Sequence, residues 1–448
     1  MNYNIFHAYD IRGVYPTQID EESVYQIAMG YASIFKPKTV AVGMDARLSS
    51  PSLKESLIRG LVDSGIDVID IGKVTTDMIY FAVGFYNYSG GIVVSASHNP
   101  GQYNGLKMVR EGAAAISSDT GLFELRDALM ENRIPKPSPE AKKGTVQTQD
   151  MMNDYIRHVL SFIDKTAIAS FRFVANGNFG FVGNSIRPIV DELKLDMIPL
   201  NMEPDGSFPK GSPDPLLPEN QKETSMVIRE TGADFGVAWD ADADRVMFFD
   251  ETGRFISGAY IGALLCKIMT RKFGKGTFIC DPRTTWPFLD AIKQNDGVGV
   301  VSKCGHTFMK DKMRSLNALF ATEMSAHYYF RDNYYADNGV IPFLLILAYL
   351  STEKKKFSEI MEPFMAGHFM SGEVNYRVVD VHALIEKIKV AYETKGKIDT
   401  IDGLSVESTQ WRFNVRPSNT EPLLRLNIEA RQSELVDQIK KEIESIIL

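Results

Sequence analysis

The sequence predicts an α/β protein of several domains, with three α/β units followed by a smaller α+β unit. Three observations carry this reading. The chain has 448 residues, and roughly 150 residues per domain gives about three domains as a first bound. Apolar strand-like runs alternate with helix-like segments along most of its length, the pattern of a largely parallel, covered sheet. The composition is 44% hydrophobic and 24% charged, which excludes wholesale disorder and supports several buried cores.

In chain order, TVAVGM (39–44) reads as a buried strand. Ser50 and Pro51 then suit the cap and first position of a helix that stops near Gly65. DVIDIG (67–72) and GGIVVSA (90–96) are the next strands, and the proline-rich 131–144 is a linker. A second unit has strands at 171–176 and 233–239, with a helix over 184–194 and a Pro/Gly-rich loop at 204–220. A third has a helix over 257–274, strands at 277–281, 298–303 and 318–323, and a helix over 337–351. The last, from about 372, mixes strands such as 423–430 with a terminal helix.

The formal net charge is −8, which argues against broad nucleic-acid binding but leaves room for a local arginine site for an anion. Three scattered cysteines give no zinc spacing and suit a reducing compartment. The N-terminus has no basic-then-apolar leader pattern. The most apolar run, Val340–Leu350, is too short to span a bilayer and reads as a buried helix. The expected location is the cytoplasm.

Four polar loops follow apolar strands. In SASHNPGQYNGLKM (95–108), Ser97 suits a nucleophile or phosphate carrier, and His98 and Lys107 suit proton transfer or positive charge. A plain turn is the alternative. In WDADADRV (239–246), Asp240, Asp242 and Asp244 recur at a period of two, which in an extended segment places them on one side. Three such carboxylates repel unless a cation such as Mg²⁺ neutralises them, and Arg245 suits a phosphate beside it. A solvated acidic loop is the alternative. In RPSNTEPLLRL (416–426), Arg416, Ser418, Asn419 and Thr420 suit a phosphate cradle or a simple turn. In ATEMSAHYYFRD (321–332), Glu323, Ser325 and His327 suit the pairing of sugar hydroxyls, or simply face water. Arg12 in YDIRG, and Lys303 and His306 in KCGHTFMK, are weaker signals. Together the loops suggest metal-assisted phosphoryl transfer to a sugar phosphate.

These ordered motifs, from YDIRG to RPSNTEP, resemble the α-D-phosphohexomutase superfamily, and within it the bacterial phosphomannomutases. The resemblance implies a four-domain phosphohexomutase architecture: three α/β domains with mixed sheets and a smaller C-terminal α+β domain around a central cleft. Bounds of 1–144, 145–251, 252–364 and 365–448 are expected, carrying the serine, metal, sugar and phosphate loops in turn. Ser97 is similar to the family's phosphoserine. Asp240, Asp242 and Asp244 resemble its Mg²⁺ ligands, completed by the phosphoserine. Glu323 and Ser325 resemble the sugar-hydroxyl readers, and Arg416, Ser418, Asn419 and Thr420 the distal phosphate loop. Arg12, His98, Lys107, Arg245, Lys303 and His306 match positions lining the cleft.

The sequence departs from the common pattern where Ala241, Ala243, Thr322 and Ala326 stand at frequent glycines, and where Cys304 replaces a frequent Thr. Either the metal-loop positions do not need positive φ or the loop adjusts. Met324 is the form of hexose-phosphate enzymes rather than of phosphoglucosamine mutases. The implied activity interconverts mannose 6-phosphate and mannose 1-phosphate through a hexose 1,6-bisphosphate, which also serves as activator, and supplies GDP-mannose. A phosphoglucomutase or dual enzyme is the near alternative, and a silent sugar-phosphate-binding regulator the distant one. Expected partners are hexose phosphates, with no nucleic acid and no membrane, in a monomer or homodimer.

Overall fold

A computed structural model of the chain describes residues 1–136, 138, 140, 142–418 and 423–447. It divides into two compact units, residues 1–256 with 327–357, and residues 257–326 with 358–448.

The first unit holds two mixed sheets. One runs in the order Ile11–Val14, Tyr103–Arg110, Gly90–Val94, Thr39–Met44, Asp67–Lys73, Val146–Thr148, with Ala114–Ala115 beside Tyr103–Arg110. Its centre is parallel, but Tyr103–Arg110 runs antiparallel to both neighbours. The second runs Phe255–Ile256, Val246–Phe249, Phe235–Trp239, Arg172–Asn176, Asp196–Leu200, again with a parallel centre and an antiparallel edge. The sheets are thus mixed rather than largely parallel.

Tyr103–Arg110 carries Asn104, Gly105 and Lys107, which make it read as loop. Each buried polar side chain is satisfied from a distance: Asn104 Nδ2 donates to Ser49 Oγ and Ser50 Oγ, and Lys107 pairs with two aspartates. Ser50 does not cap its helix. The helix Ser50–Asp63 is preceded by Ser49, and the Ser50 hydroxyl donates instead to Asp45.

The helix Val340–Glu353 packs with the first unit although the sequence places it in the third domain. The reason is aromatic. Phe343 meets Phe173, Phe235 and Trp239, and Trp239 Nε1 donates to Gly339 O at 2.8 Å. Among the described residues no helix is long and apolar enough to cross a membrane.

In the second unit, Val298–Val301, Thr277–Cys280 and Phe320–Thr322 form a parallel set. An antiparallel sheet runs Phe369–Met370, Leu423–Ala430, Trp411–Pro417, Leu404–Glu407, Lys397–Asp399. Helices Val381–Tyr392 and Ser433–Ile447 supply Ile388, Tyr392, Ile439 and Ile443 to the core on it.

Candidate active site

The serine, aspartate and phosphate loops each join antiparallel neighbours, so strand pairing fixes both their ends. Val94 pairs with Leu106 around the serine loop, Trp239 with Val246 around the aspartates, and Pro417 with Leu424 around the phosphate loop. Such closure positions the serine and aspartate loops more firmly than an open strand end would.

In the first unit, Asp240, Asp242, Asp244 and Ser97 come together. The three carboxylates are fully buried and offer ligand atoms within 4.8 Å of one another. Ser97 Oγ donates to Asp240 Oδ2 at 3.1 Å and lies 3.1 Å from His98 Nδ1. Arg245 Nε donates to the same Asp240 oxygen at 2.8 Å. Lys107 Nζ donates to Asp242 Oδ2 at 2.6 Å and to Asp244 Oδ2 at 2.5 Å. Burial alone would lower the lysine pKa, but the two aspartates outweigh it and hold the ammonium charged. Burial, with Arg245 and Arg12 next in weight, keeps His98 well below the usual imidazole range. Arg12 sits on the strand Ile11–Val14, where Nη1 donates to Asn99 Oδ1 at 2.5 Å and Nη2 pairs with Asp10.

The donor set fits a hard cation. Asp242 Oδ1 and Asp244 Oδ1 are buried without a hydrogen-bond partner, which is costly for a carboxylate unless a cation satisfies it. The aspartates converge although the segment is not extended, because Ala243 turns at φ 53°. Ala326 also has positive φ, 65°. Two of the glycine-to-alanine departures therefore do occupy left-handed backbone. That costs an alanine ~1–2 kcal/mol, offset by ~0.8 kcal/mol from its buried methyl and by lower chain entropy when unfolded. Ala243→Gly should accordingly stay within about 1 kcal/mol of the parent and keep its activity, as denaturant melts and a rate assay would show.

The first turn of the helix Thr76–Phe85 supports the metal loop. Thr76 donates its N–H to Asp242 O at 2.9 Å and its hydroxyl to Asp242 Oδ2 at 2.6 Å. Beneath it, Asp77 accepts from Thr75, Tyr155 and Asn338. Burial, reinforced by Asp244 and Asp337, pushes Asp77 up to about 7 despite these donors. A folded pKa raised above the unfolded ~3.9 gives stability that is present at low pH and lost as pH rises through 7. Between pH 5 and 8 the parent should lose about 2–3 kcal/mol that Asp77→Asn does not lose, read from urea midpoints.

Glu323 and Ser325 meet at one guanidinium nitrogen, whereas His327 finds its partners in the first unit. The turn at Ala326 separates the pair from His327, which belongs to the first unit. There its Nδ1 lies 3.1 Å from Asp337 Oδ2 and 3.8 Å from Asp244 Oδ1. In the second unit, Arg283 Nη2 donates to Ser325 Oγ at 3.2 Å and to Glu323 Oε1 at 3.4 Å, and Asp281 holds Arg283 at 2.6 Å. Glu323 also accepts the Gly305 N–H at 2.8 Å, at the start of the helix His306–Leu316. His306 Nδ1 lies 3.3 Å from Lys310 Nζ. Lys303 is exposed, its ammonium over the Phe308 ring rather than among these groups. Arg416 is buried on the strand Trp411–Pro417 and donates to Glu373 at 3.1 Å, while Ser418 Oγ accepts from Arg425 at 3.2 Å. Asn419 and Thr420 lie outside the described residues.

Sequence reasoning missed Asp45, Arg47, Thr76, Asp281, Arg283 and Glu373. MDARLSS (44–50) and CDPRTT (280–285) both follow apolar strands, the same signal that singled out the other loops.

Models of all four domains of phosphoglucomutase/phosphomannomutase match the chain: α/β/α domain I at residues 3–132, domain II at 153–253, domain III at 257–367 and the C-terminal domain at 373–446. The chain belongs to this family. It is 41% identical over 444 residues to a Xanthomonas campestris protein named for phosphohexose mutases, covering 99% of this chain and 98% of that one. It is 40% identical over 447 residues to an Escherichia coli phosphomannomutase, covering 98% and 97%. A crystal structure of a family protein from Burkholderia thailandensis superposes with a TM-score of 0.90 at 28% identity, over 100% and 97% of the two chains. The fold is the four-domain phosphohexomutase architecture, and the chain is an enzyme of the phosphomutase kind, an isomerase.

Proposed function

We propose that the enzyme interconverts mannose 6-phosphate and mannose 1-phosphate through a phosphoserine at Ser97 and a hexose 1,6-bisphosphate. The observation that carries this is the serine hydroxyl set on Asp240 beside two unpartnered carboxylate oxygens. Near-full-length likeness to a phosphomannomutase supports the choice of sugar.

Asp240, Asp242, Asp244 and the Ser97 phosphate would hold Mg²⁺, which supplies charge neutralisation at the phosphoryl oxygens. In the forward half-reaction the bond from phosphorus to Ser97 Oγ breaks as a bond forms to a hydroxyl oxygen of the hexose phosphate. The hydroxyl proton passes to a base, and the opposite phosphoryl group of the bisphosphate later returns to Ser97. His98, at 3.1 Å from Oγ, stands where the serine proton is exchanged, and Lys107 is the other acid–base group nearby. A trace of hexose 1,6-bisphosphate keeps Ser97 loaded. Glu323 and Ser325, tied by Arg283, read sugar hydroxyls. Arg416, with Ser418, Asn419 and Thr420, takes the phosphate that is not being transferred.

Arg416→Ala should therefore raise KM for the sugar phosphate ~10-fold or more while kcat falls less, since a charge-assisted bond of about 1.5–3 kcal/mol is lost. An unchanged KM removes that assignment. The product is read as feeding GDP-mannose synthesis. The family description names both mutases, so a phosphoglucomutase or dual activity is the second reading. Assaying mannose 1-phosphate against glucose 1-phosphate, with Mg²⁺ and a trace of bisphosphate, decides: a strong mannose preference supports the first, equal rates the second.

A further inference from the structure

Arg47 is 1% exposed, and all five of its N–H donors are used. Nε donates to Asp45 Oδ2 at 3.0 Å. Nη1 donates to Pro100 O at 2.7 Å and Tyr103 O at 3.0 Å. Nη2 donates to Ser97 O at 2.6 Å and Asn99 O at 2.7 Å. Four of the five acceptors are main-chain carbonyls of one short loop, and the first belongs to Ser97. Only a planar guanidinium carries five donors in a fixed fork; an ammonium has three on a point.

The clamp is itself anchored. Asp45 Oδ1 accepts from the Arg47 N–H at 3.0 Å and from Ser50 Oγ at 2.6 Å. Ser50 Oγ in turn accepts from Asn104 Nδ2 at 3.0 Å, which ties the far end of the loop to the same cluster. The guanidinium carbon lies over the Phe208 ring, 4.9 Å from its centroid.

Ser97 needs such a clamp. Its φ is 51°, a left-handed conformation that a serine adopts only when its surroundings impose it, and such outliers gather at functional sites. A relaxed Ser97 would rotate its Cα–Cβ bond and carry Oγ off Asp240.

We propose that Arg47 is a positioning residue for phosphoryl transfer, gripping the loop carbonyls so that Ser97 is held left-handed with Oγ aimed at the aspartates. The inference rests on Ser97 as the phosphoryl carrier. It separates Arg47 from sugar binding, because none of its partners is a group assigned to the hexose.

The test is Arg47→Lys, which keeps the charge and loses the fork. The purified phosphoenzyme is followed by ³¹P NMR of phospho-Ser97, with kcat and KM for hexose phosphate and thermal melts alongside. The expected result is a folded protein whose ³¹P line is broadened or split, with kcat down at least ~10-fold and KM within ~2-fold, since a misplacement of ~1 Å costs up to ~100-fold. Partial unfolding alone would lower signal intensity but leave the line of the folded fraction unchanged. A folded Arg47→Lys with parental line and kcat overturns the inference, as does a loss confined to KM. Should Arg47→Lys fail to fold, Phe208→Leu decides. It loosens the guanidinium without removing a loop hydrogen bond. A lower kcat at unchanged KM supports the clamp, and parental kcat and line shape overturn it. A parent protein with no ³¹P signal from Ser97 removes the premise; a parental signal that Arg47→Lys leaves unaltered removes the clamp alone.

Discussion

Ser97→Ala is expected to lower mutase turnover by at least ~10⁴-fold while leaving the fold intact, because it deletes the atom that carries the phosphoryl group. The structural cost is small. Oγ makes one hydrogen bond, to Asp240, and one contact with His98. The backbone at φ 51° is held by Arg47 and by the Ser97 N–H on Ser95 Oγ, neither of which needs the side chain. The melting temperature should stay within a few degrees, and intact mass should show no phosphate on the variant after incubation with bisphosphate. Substantial turnover from a folded Ser97→Ala protein would remove the serine from the mechanism.

Asp242→Asn should be nearly as damaging, lowering kcat by about 10²–10³-fold at saturating Mg²⁺ and weakening metal dependence by a similar factor. Asp242 is fully buried, its Oδ2 is shared by Lys107 and Thr76, and its Oδ1 has no hydrogen-bond partner. The amide keeps the shape but removes a charge, so the orphan position offers a weaker ligand. Lys107 retains Asp244, so stability should fall less than activity. Mg²⁺ titrations of rate, beside denaturant melts of both proteins, separate the two effects. A kcat within ~3-fold of the parent at high Mg²⁺ would mean the triad is not a metal site.

The candidate loops were legible because each places polar residues straight after an apolar strand. What the sequence concealed was how those loops are held. The strand Tyr103–Arg110 carries buried Asn104 and Lys107, whose partners lie 55 and 135 residues away, and no local pattern reports such pairs. Arg47 was hidden for the same reason, since its four loop carbonyls are features of main-chain geometry rather than residue type. The period of two in the aspartates gave the right convergence by the wrong route, because Ala243 turns the chain instead of extending it. After Ser325, which shares Arg283 with Glu323, Ala326 turns at φ 65° and His327 lies beside Asp337 and Asp244. The helix Val340–Glu353 was foreseen as buried, but its packing beneath Trp239 depends on aromatic contacts from distant strands.

The most direct measurement loads Ser97 with labelled phosphate from a hexose 1,6-bisphosphate, removes the excess, and mixes the phosphoenzyme with mannose 6-phosphate and Mg²⁺. Transfer is followed by the label on Ser97 and in the sugar phosphates, since the opposite phosphoryl group returns to Ser97 and the protein keeps one phosphate. The label should leave Ser97 and appear in the bisphosphate and then in the released mannose 1-phosphate at a rate no slower than steady-state turnover. Label that stays on Ser97 while unlabelled mannose 1-phosphate accumulates would contradict the phosphoserine route.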